Sequence, residues 1–314
     1  MTNPFPGTQP NDSTAPQTGP NLTESKRLSI LLVNYNGMSH LAPCLDSIRC
    51  FAPPGTQVVL EDNASTDGSV ESAENEYPWL QVIRSNRNLG FAGGNNLAGK
   101  RAEGRFILLL NTDTLLLQPI APVVEWLESH STYGALTINM IDGDHVPRAC
   151  TGRFPSAVRL ALLRLMLVSP REYGSEMAYD VDWVQGSFVL MRADLWRALN
   201  GLDETYFMYA EDVDLCKRVW GAGFKCAYLP KWQYLHWGGF THSRFPDQVL
   251  GLATYVEHHM AGLERVACRA VLFGGCLIRA SAYGIIGFLC RRKIDRIKAI
   301  ASWRAFEALV DCRT

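Results

Sequence analysis

The stretch that most constrains the fold is an apolar run that stops at a polar turn, FILLLNTDT, at residues 106–114. Five consecutive apolar side chains bounded by polar residues are typical of a strand buried on both faces of a parallel sheet. The run places Asp113 at the carboxyl end of this strand, where open α/β sheets bind ligands. A carboxylate there can hold a divalent metal ion that carries a phosphorylated substrate. Taken alone, Asp113 is explained equally well as the cap of a turn or of the next helix.

Composition narrows the class of protein. The 314 residues are 47% hydrophobic and 19% charged, which is typical of a soluble globular protein with a sizeable core. The nine cysteines are odd in number and include no Cys-x-x-Cys pair, so they predict neither a disulfide framework nor a zinc site. We therefore expect free thiols in a reducing compartment.

The two ends of the chain differ from its body. Residues 1–26 are rich in Pro, Thr, Asn, Gln and Gly and lack the features of a secretory signal, so we predict a disordered tail. From Arg265 onward there are ten Lys or Arg against three Asp or Glu, whereas the preceding residues carry 20 against 28. This asymmetry predicts an anionic partner for the C-terminal part alone.

Three apolar strands are predicted before the 106–114 stretch, at Leu28–Val33, Gln57–Asp62 and Leu80–Arg84. Each ends in a loop of Asn, Asp, Ser or Gly that leads into a helix, which is the rhythm of βαβ units. Right-handed crossovers would bring these strand ends to one edge of the sheet, forming a rim suited to a nucleotide. Further helices are predicted at about 41–50, 121–129 and 156–168, and further strands at 134–140 and 182–191.

The loop at Gly90 to Gly94 is not a dinucleotide fingerprint. Its glycines do not fall as Gly-x-Gly-x-x-Gly, and it follows the third strand instead of the first. We expect these glycines to let the backbone approach a base or a ribose.

Two later features are ambiguous when taken alone. Glu211 and Asp212 follow an aromatic run and open a predicted helix, where carboxylates are also favoured as ordinary capping residues. His236 is isolated in the sequence YLHWGG, and a single histidine is more often a core or loop residue than a ligand.

Taken together and in order, these motifs resemble the family-two inverting glycosyltransferases with the A-type fold, in particular their bacterial rhamnosyltransferase-like branch. The resemblance covers about Leu28 to Thr241. The motifs are VNYNG from Val33, EDNASTDGS from Glu61, NRNLGFAGGNN from Asn86, LLLNTDT from Leu108, GLDETYFMYAEDVDLCKR from Gly201, and His236. It implies an α/β fold with a Rossmann-like, mostly parallel central sheet, helices on both faces and a C-terminal helical extension.

The resemblance also implies roles for individual residues. Asp212 matches the general base, and Asp113 with His236 matches the residues that bind Mg²⁺ or Mn²⁺. The nucleotide-sugar positions are Asn34, Asp62, Arg87, Asn95, Asn111 and Asp113, and the acceptor-side positions are Trp183 and Glu211. Asn111 departs from the family pattern, because it stands where the full Asp-x-Asp motif has its first carboxylate. Asparagine contributes no charge, so we expect weaker metal binding.

The stretch from Ala270 to Cys290 is long and apolar enough to span a bilayer, yet Arg279 lies at its centre, where a charge costs roughly 2.5–3.5 kcal/mol. A single span would also place the basic cluster Arg291 to Lys293 opposite the catalytic body. We therefore predict helices lying in an anionic membrane interface. The alternatives are a true span, a packed helical subdomain and a dimer contact.

These observations predict a cytoplasmic enzyme, peripheral at the inner face of the cell membrane. It would comprise the tail at 1–26, a nucleotide-sugar glycosyltransferase domain at 27–245 and a basic, membrane-associating helical segment at 246–314. The family branch implies L-rhamnose transfer from dTDP-rhamnose to a glycan or polyprenyl-linked acceptor in cell-surface polysaccharide synthesis. Two alternatives stay open: a same-fold transferase using UDP-galactofuranose, UDP-GlcNAc or another hexose donor, and a non-catalytic glycan- or nucleotide-binding scaffold. No nucleic-acid partner is expected.

Overall fold

A computed structural model of the chain describes residues 27–164, 177–238 and 244–311. The predicted disordered tail at 1–26 and the last part of the helix predicted at 156–168 lie outside these residues.

The described residues form twelve strands and ten helices. The strands are β1 Leu28–Asn34, β2 Gln57–Asp62, β3 Gln81–Arg84, β4 Phe106–Asn111, β5 Thr114–Leu116, β6 Tyr133–Ile141, β7 Pro147–Arg148, β8 Thr151–Gly152, β9 Tyr179–Val181, β10 Trp183–Val184, β11 Phe188–Arg192 and β12 Lys225–His236. The helices are α1 Leu41–Phe51, α2 Ser69–Glu76, α3 Gly90–Gly99, α4 Ala121–Ser129, α5 Ala157–Arg164, α6 Ala193–Ala198, α7 Glu211–Gly221, α8 Phe245–His259, α9 Gly262–Leu289 and α10 Lys293–Asp311.

The main sheet has two halves. Its strand order is β3-β2-β1-β4-β11-β6-β12-β5, and the first four strands are parallel to one another. Beyond them, β11 runs antiparallel to both β4 and β6, while β6 and β12 are parallel. The parallel half therefore brings the ends of β1, β2 and β4 to one edge, as the βαβ rhythm predicts.

The predicted organising strand is at the centre of this sheet. In β4, the side chains from Phe106 to Leu110 are each 2% exposed or less. Strand β1 pairs with it on one side and β11 on the other, and the main apolar core surrounds all three. A uniformly apolar run is stable here because both faces of the strand are covered.

Two predicted elements differ from the structure. The strand predicted at 182–191 is interrupted: β10 pairs with β8 in a separate small sheet, and β11 joins the main sheet. The interruption includes Gly186, whose amide is used by a side chain of α7. For the helix after the third strand, the sequence predicts an end at about Glu103, but α3 ends at Gly99, where a Cβ would lie 2.8 Å from the Trp196 ring nitrogen.

The C-terminal helices have a core of their own. Side chains of α5, α8, α9 and α10 form a second apolar cluster that includes Leu160, Val256, Leu272 and Leu309. The 28-residue helix α9 is long and apolar enough to cross a membrane, although only 17% of its most apolar window is buried. One face of α9 thus packs in the protein, and much of the remainder is exposed.

Candidate active site

Three of the predicted site residues are neighbours at the carboxyl edge of the sheet. Strand register places Asn34 beside Asp62 and Val33 beside Asn111. The loops that follow these strands also contact one another, because Asn34 Nδ2 donates hydrogen bonds of 3.0 Å to both Ser65 Oγ and Ser69 Oγ. The predicted rim at the strand ends is therefore one connected surface.

The polar groups of Asn34 and Asp62 are only partly used by the protein. Asn34 Oδ1 is buried without a hydrogen-bond partner, and the Cβ of any larger residue at position 37 would overlap it. Asp62 Oδ1 accepts a hydrogen bond of 3.2 Å from the Ser65 amide. Asn34 thus holds the two loops together with its donors, while its oxygen and the other Asp62 oxygen can accept hydrogen bonds from a ligand.

The third loop contains residues that contribute less directly. Arg87 is exposed on it, whereas Asn95 is buried inside α3 and donates a hydrogen bond of 2.9 Å to the Phe91 carbonyl. The loop is held by Asn63, a residue that sequence reasoning did not select. Its side chain accepts a bond from the Leu89 amide and donates one to the Gly90 carbonyl, each 3.0 Å. The structure therefore places Arg87 at the surface and Asn95 away from it.

Two glycines of this loop lie against other parts of the protein. Gly90 has φ of 74°, and a Cβ there would overlap the Phe207 carbonyl of the loop before α7. A Cβ at Gly94 would lie 2.7 Å from Glu61 Oε2. These glycines make room for other parts of the protein.

Glu61 is a buried carboxyl group next to the rim. Its Oε1 accepts a hydrogen bond of 2.5 Å from Ser85 Oγ, and its Oε2 has no partner. Burial raises the pKa of Glu61 to about 7, an effect that the Ser85 bond reduces and the charge of Asp62 increases.

Asp113 and His236 form a pair, although 122 positions separate them in the chain. After β4 the chain turns into β5, which pairs with the end of β12 so that Thr114 lies opposite His236. This places Asp113 Oδ1 3.2 Å from His236 Nε2. Burial pushes the pKa of Asp113 up, but the hydrogen bond and charge of His236 outweigh it and hold the pKa below its usual value.

An open space borders the side chains of Asp113 and His236. A Cβ at Gly238 would lie 2.6 Å from Asp113 Oδ2 and 2.7 Å from His236 Nε2, so the glycine keeps the space beside both ligand atoms open. A carboxylate and an imidazole bordering such a space fit a divalent cation that keeps other positions for phosphate oxygens or water. Asn111 contributes no charge to it.

The Asp212 carboxylate has both oxygens engaged by backbone amides. Oδ2 accepts a hydrogen bond of 2.8 Å from Gly186 and Oδ1 one of 2.8 Å from Val213. The next carbonyl, that of Ser187, accepts a bond of 3.2 Å from the Asn111 amide. The interruption between β10 and β11 therefore ties Asp212 to the end of β4.

Glu211 and Asp212 are the first two residues of α7. The backbone enters the helix through Tyr209 and Ala210, which have φ of 73° and 68°, so two consecutive non-glycine residues are left-handed. Burial raises the pKa of both carboxyls; Glu211, which also faces the charge of Asp212, shifts well above its usual value. Glu211 Oε2 is buried without a partner. Of the two, Glu211 therefore keeps its proton to a higher pH than Asp212 does, because its pKa is raised further.

Trp183 contacts the same region from β10. Its ring packs with Tyr206, Ala210 and Val213 at the start of α7, and its Nε1 donates a hydrogen bond of 3.1 Å to the Arg153 carbonyl. The predicted acceptor-side pair, Trp183 and Glu211, thus lies on the Asp212 side of the site.

Sequence reasoning missed two aromatic residues near Asp113. Trp237, 47% exposed, donates its amide to the Asp113 carbonyl at 2.9 Å, and its ring stacks on that of His40 at 6.4 Å. The charge of His40 adds to that of His236 in lowering the pKa of Asp113. The adjacency of Trp237 to His236 was the available signal, whereas nothing near His40 in the sequence marks it.

Another group of potential ligands lies apart from this pair. Asp203, Asp214 and His258 have ligand atoms within 4.8 Å of one another. Both oxygens of Asp214 are already engaged, by Arg218 Nε at 2.7 Å and His259 Nε2 at 2.6 Å. This cluster joins α7 to α8 and needs no ion to satisfy Asp214.

Comparison with known proteins finds a glycosyltransferase family profile and rhamnosyltransferase relatives. The family whose profile matches residues 29–164 is described as Glycosyl transferase family 2. The chain is 26% identical over 291 residues to an N-acetylglucosaminyl-diphospho-decaprenol L-rhamnosyltransferase of Mycobacterium tuberculosis, covering 81% of this chain and 91% of that protein. It is 27% identical over 228 residues to the Rhamnosyltransferase WbbL of Escherichia coli K12, covering 69% and 85%.

Among solved structures, the chain is similar to the mannosyltransferase PcManGT from Pyrobaculum calidifontis in complex with GDP-Man and Mn²⁺. The TM-score is 0.57 at 17% identity, covering 94% of this chain and 89% of that one. At this identity the likeness concerns the fold alone, and it confirms the predicted A-type fold with its central sheet, surrounding helices and C-terminal helical segment.

Proposed function

We propose that this protein transfers a sugar from a nucleoside-diphosphate donor to a carbohydrate acceptor with inversion at the anomeric carbon. Its residues 29–164 match the profile of glycosyl transferase family 2. The match of this family's profile to residues 29–164 supports the resemblance carried by the motifs. The observation that carries the proposal is the convergence of the Asp113–His236 pair, at 3.2 Å, and the amide-held Asp212 on one edge of the sheet.

In this proposal Asp212 is the general base. A carboxylate whose pKa burial has raised is a stronger base, and two amide donors fix its orientation toward an acceptor hydroxyl. The pKa of Glu211 is raised further than that of Asp212, so Asp212 is the first of the two to ionise. Asp212 would take the proton of the attacking hydroxyl as the bond to the leaving diphosphate breaks on the opposite face of the sugar.

Asp113 and His236 would hold Mg²⁺ or Mn²⁺, with the space beside Gly238 left for donor phosphate oxygens. When bound, the ion supplies positive charge to the leaving nucleoside diphosphate. An imidazole ligand suits Mn²⁺ better than Mg²⁺, which prefers oxygen ligands. The residues proposed to bind the nucleotide are Asp62, Asn34, Arg87, Asn95 and Asn111. Of these, Asp62 and Asn34 have support from their unused acceptor oxygens.

We propose L-rhamnose from dTDP-rhamnose as the donor group and a glycan or polyprenyl-linked sugar as the acceptor, in cell-surface polysaccharide synthesis. The two relatives that are named as rhamnosyltransferases support this choice. The same fold using UDP-galactofuranose, UDP-GlcNAc or another hexose donor is the alternative activity.

We also propose a peripheral position on the cytoplasmic face of the cell membrane, with the division into 27–245 and 246–314 as predicted. The C-terminal helices support this position, because Ile278, Ile285, Phe288 and Leu289 of α9 are each at least 60% exposed. They lie near the basic residues Arg291 to Lys293. The inner face of α9, in contrast, packs against α8 and α10, which favours a helix lying in the interface.

A screen of nucleotide-sugar donors tests the proposal, with hydrolysis and transfer measured in Mn²⁺, in Mg²⁺ and in EDTA. We expect dTDP-rhamnose to be consumed fastest and EDTA to reduce the rate. Nucleotide binding without turnover of any donor would support the scaffold alternative. Faster turnover of a UDP-hexose would replace rhamnose while keeping the reaction class.

A further inference from the structure

The join between the C-terminal helices and the catalytic helix contains a column of stacked cations and aromatic rings. The Lys298 ammonium lies 4.9 Å from the centre of the Tyr283 ring, and the Arg279 guanidinium lies 5.0 Å from the same ring. Arg279 also lies 4.7 Å from the centre of the Phe245 ring, at the first residue of α8. Arg279, which the sequence placed in the middle of a possible membrane span, therefore faces inward to the protein.

The column continues to the active site through Arg244. Arg244 is the N-cap residue of α8 and hydrogen-bonds the Tyr209 side chain. Tyr209 is two residues before Glu211, and its left-handed backbone is packed against Gly251 of α8, where a Cβ would overlap the Tyr209 carbonyl. Arg244 is thus held on the acceptor side, between the proposed base and the exposed apolar helices.

Arg279 has unused hydrogen-bonding capacity, and Arg244 is exposed. Arg279 Nε is buried and has no hydrogen-bond partner. Within the described ranges neither Arg244 nor Arg279 forms an ion pair with a carboxylate, whereas Lys298 is 3.7 Å from Asp295. Asp247 is the acidic residue in the first turn of α8. Planar guanidinium groups with free donors are the side chains best suited to phosphate, and the start of a 15-residue helix adds a favourable field.

We propose that Arg244 and Arg279 form an anion subsite for the phosphate groups of a polyprenyl-diphosphate-linked acceptor. This inference rests on the proposed function and names the chemical class of its acceptor. The prenyl chain would lie along the exposed apolar surface of α9 that begins at Ile278, which is 73% exposed. The acceptor sugar would extend past Tyr209 toward Asp212. A neutral glycoside would supply no anionic partner for either arginine.

The test measures binding of farnesyl diphosphate by calorimetry to the full chain, with EDTA present to suppress binding at the Asp113–His236 pair. Arg244→Gln and Arg279→Gln should each weaken binding about tenfold or more, because hydrogen bonds to charged groups contribute about 1.5–3 kcal/mol. Arg304→Gln is the matched control, since Arg304 is an exposed arginine on α10. It should bind as the wild type does.

Two further measurements separate the sources of phosphate. Inorganic pyrophosphate should show the same order of variants with weaker affinity. Vesicles of phosphatidylglycerol should bind all three variants nearly equally, because Arg291 to Lys293 supply the proposed attraction to lipid headgroups. If Arg244→Gln and Arg279→Gln lost vesicle binding while farnesyl diphosphate binding was unchanged, the subsite would be a headgroup contact and the proposal would be overturned. Arg279→Lys, which keeps the charge, is the second variant if Arg279→Gln fails to fold.

Transfer assays distinguish this inference from the proposed reaction. For a diphosphate-linked acceptor, we expect a higher KM in Arg244→Gln and Arg279→Gln with kcat and nucleoside-diphosphate binding unchanged. An absence of transfer by the wild-type protein from every donor would overturn the proposed function, while the calorimetry would still report on the subsite. Unchanged farnesyl diphosphate binding in both variants would overturn the subsite while leaving the transferase intact.

Discussion

The parallel half of the sheet and the C-terminal helices differ in how completely their apolar side chains are buried. Strand β4 is covered on both faces, and each of its apolar side chains is 2% exposed or less. Helix α9 is covered by the protein on only one of its faces, and Phe288 on its other face is 75% exposed. The sheet region is therefore complete without a partner, whereas the helices present a large apolar surface of the kind that marks interaction sites.

Buried polar atoms without a partner occur in both regions. Asn34 Oδ1 and Glu211 Oε2 lack one at the catalytic edge, and Arg279 Nε lacks one in the helical region. The proposed base differs from all three, because backbone amides engage both Asp212 oxygens. The protein itself therefore fixes the orientation of the base, while the unpartnered atoms are available to bound molecules.

The largest expected effect is at the preorganised edge. Asp212→Asn should reduce transfer by about 10²–10⁴, because general-base catalysis contributes about this factor. Calorimetry with the nucleoside diphosphate should show nearly unchanged binding, since Asp212 is held by Gly186 and Val213 and not by the nucleotide loops. Turnover within about tenfold of the wild type would mean that Asp212 is not the base.

The membrane surface should show the next largest effect. Replacing Arg291, Arg292 and Lys293 with Gln should weaken binding to anionic vesicles by about 3 kcal/mol and reduce its salt dependence, at about 1 kcal/mol per basic residue. Cosedimentation across a salt series measures this. Binding that survives high salt and alkaline carbonate would instead indicate that α9 is embedded.

Removal of the whole C-terminal segment would not test membrane binding alone. A truncation before Arg265 would expose the apolar cluster in which Leu160 and Val256 pack against α9 and α10. Phe288→Ser is the better companion variant, because this side chain is already 75% exposed. It should reduce vesicle binding without changing nucleotide binding or thermal stability.

A smaller effect is expected at the metal pair. Asp113→Ala should weaken binding of the nucleoside diphosphate in Mn²⁺ by tens of fold, because it removes the one carboxylate of the proposed site, worth about 1.5–3 kcal/mol. Asn111→Asp is the matched variant and should tighten Mn²⁺ binding if the side chain faces the ion. Full wild-type activity in EDTA would make Asp113 a structural residue.

The smallest effect is a pH dependence of stability within the sheet region. The pKa of Glu61 is raised in the folded protein to about 7, so the folded state binds more protons than the unfolded state between about pH 4.5 and 7. Stability should therefore fall as pH rises through this window. Glu61→Gln should remove this loss and add about 2 kcal/mol at pH 8 relative to pH 5. Denaturant unfolding at the two pH values measures it, and equal changes at both would contradict the assignment.

The sequence by itself determined the strands and helices of the parallel half. Because β1, β2 and β4 are local apolar runs ended by polar turns, their bounds and their common edge follow from periodicity and crossover handedness. Asp113 was selected for the same reason, whereas Asn34 and Asp62 were selected from the resemblance to a known family.

The tertiary structure alone decided what those residues contact. Pairing of β5 with β12 brings His236 to Asp113, and a break between β10 and β11 turns the Gly186 amide toward Asp212. It also turned Arg279 inward, against Phe245. Local sequence cannot specify these contacts, because each depends on the register between segments far apart in the chain and on which face of an element is left uncovered by packing.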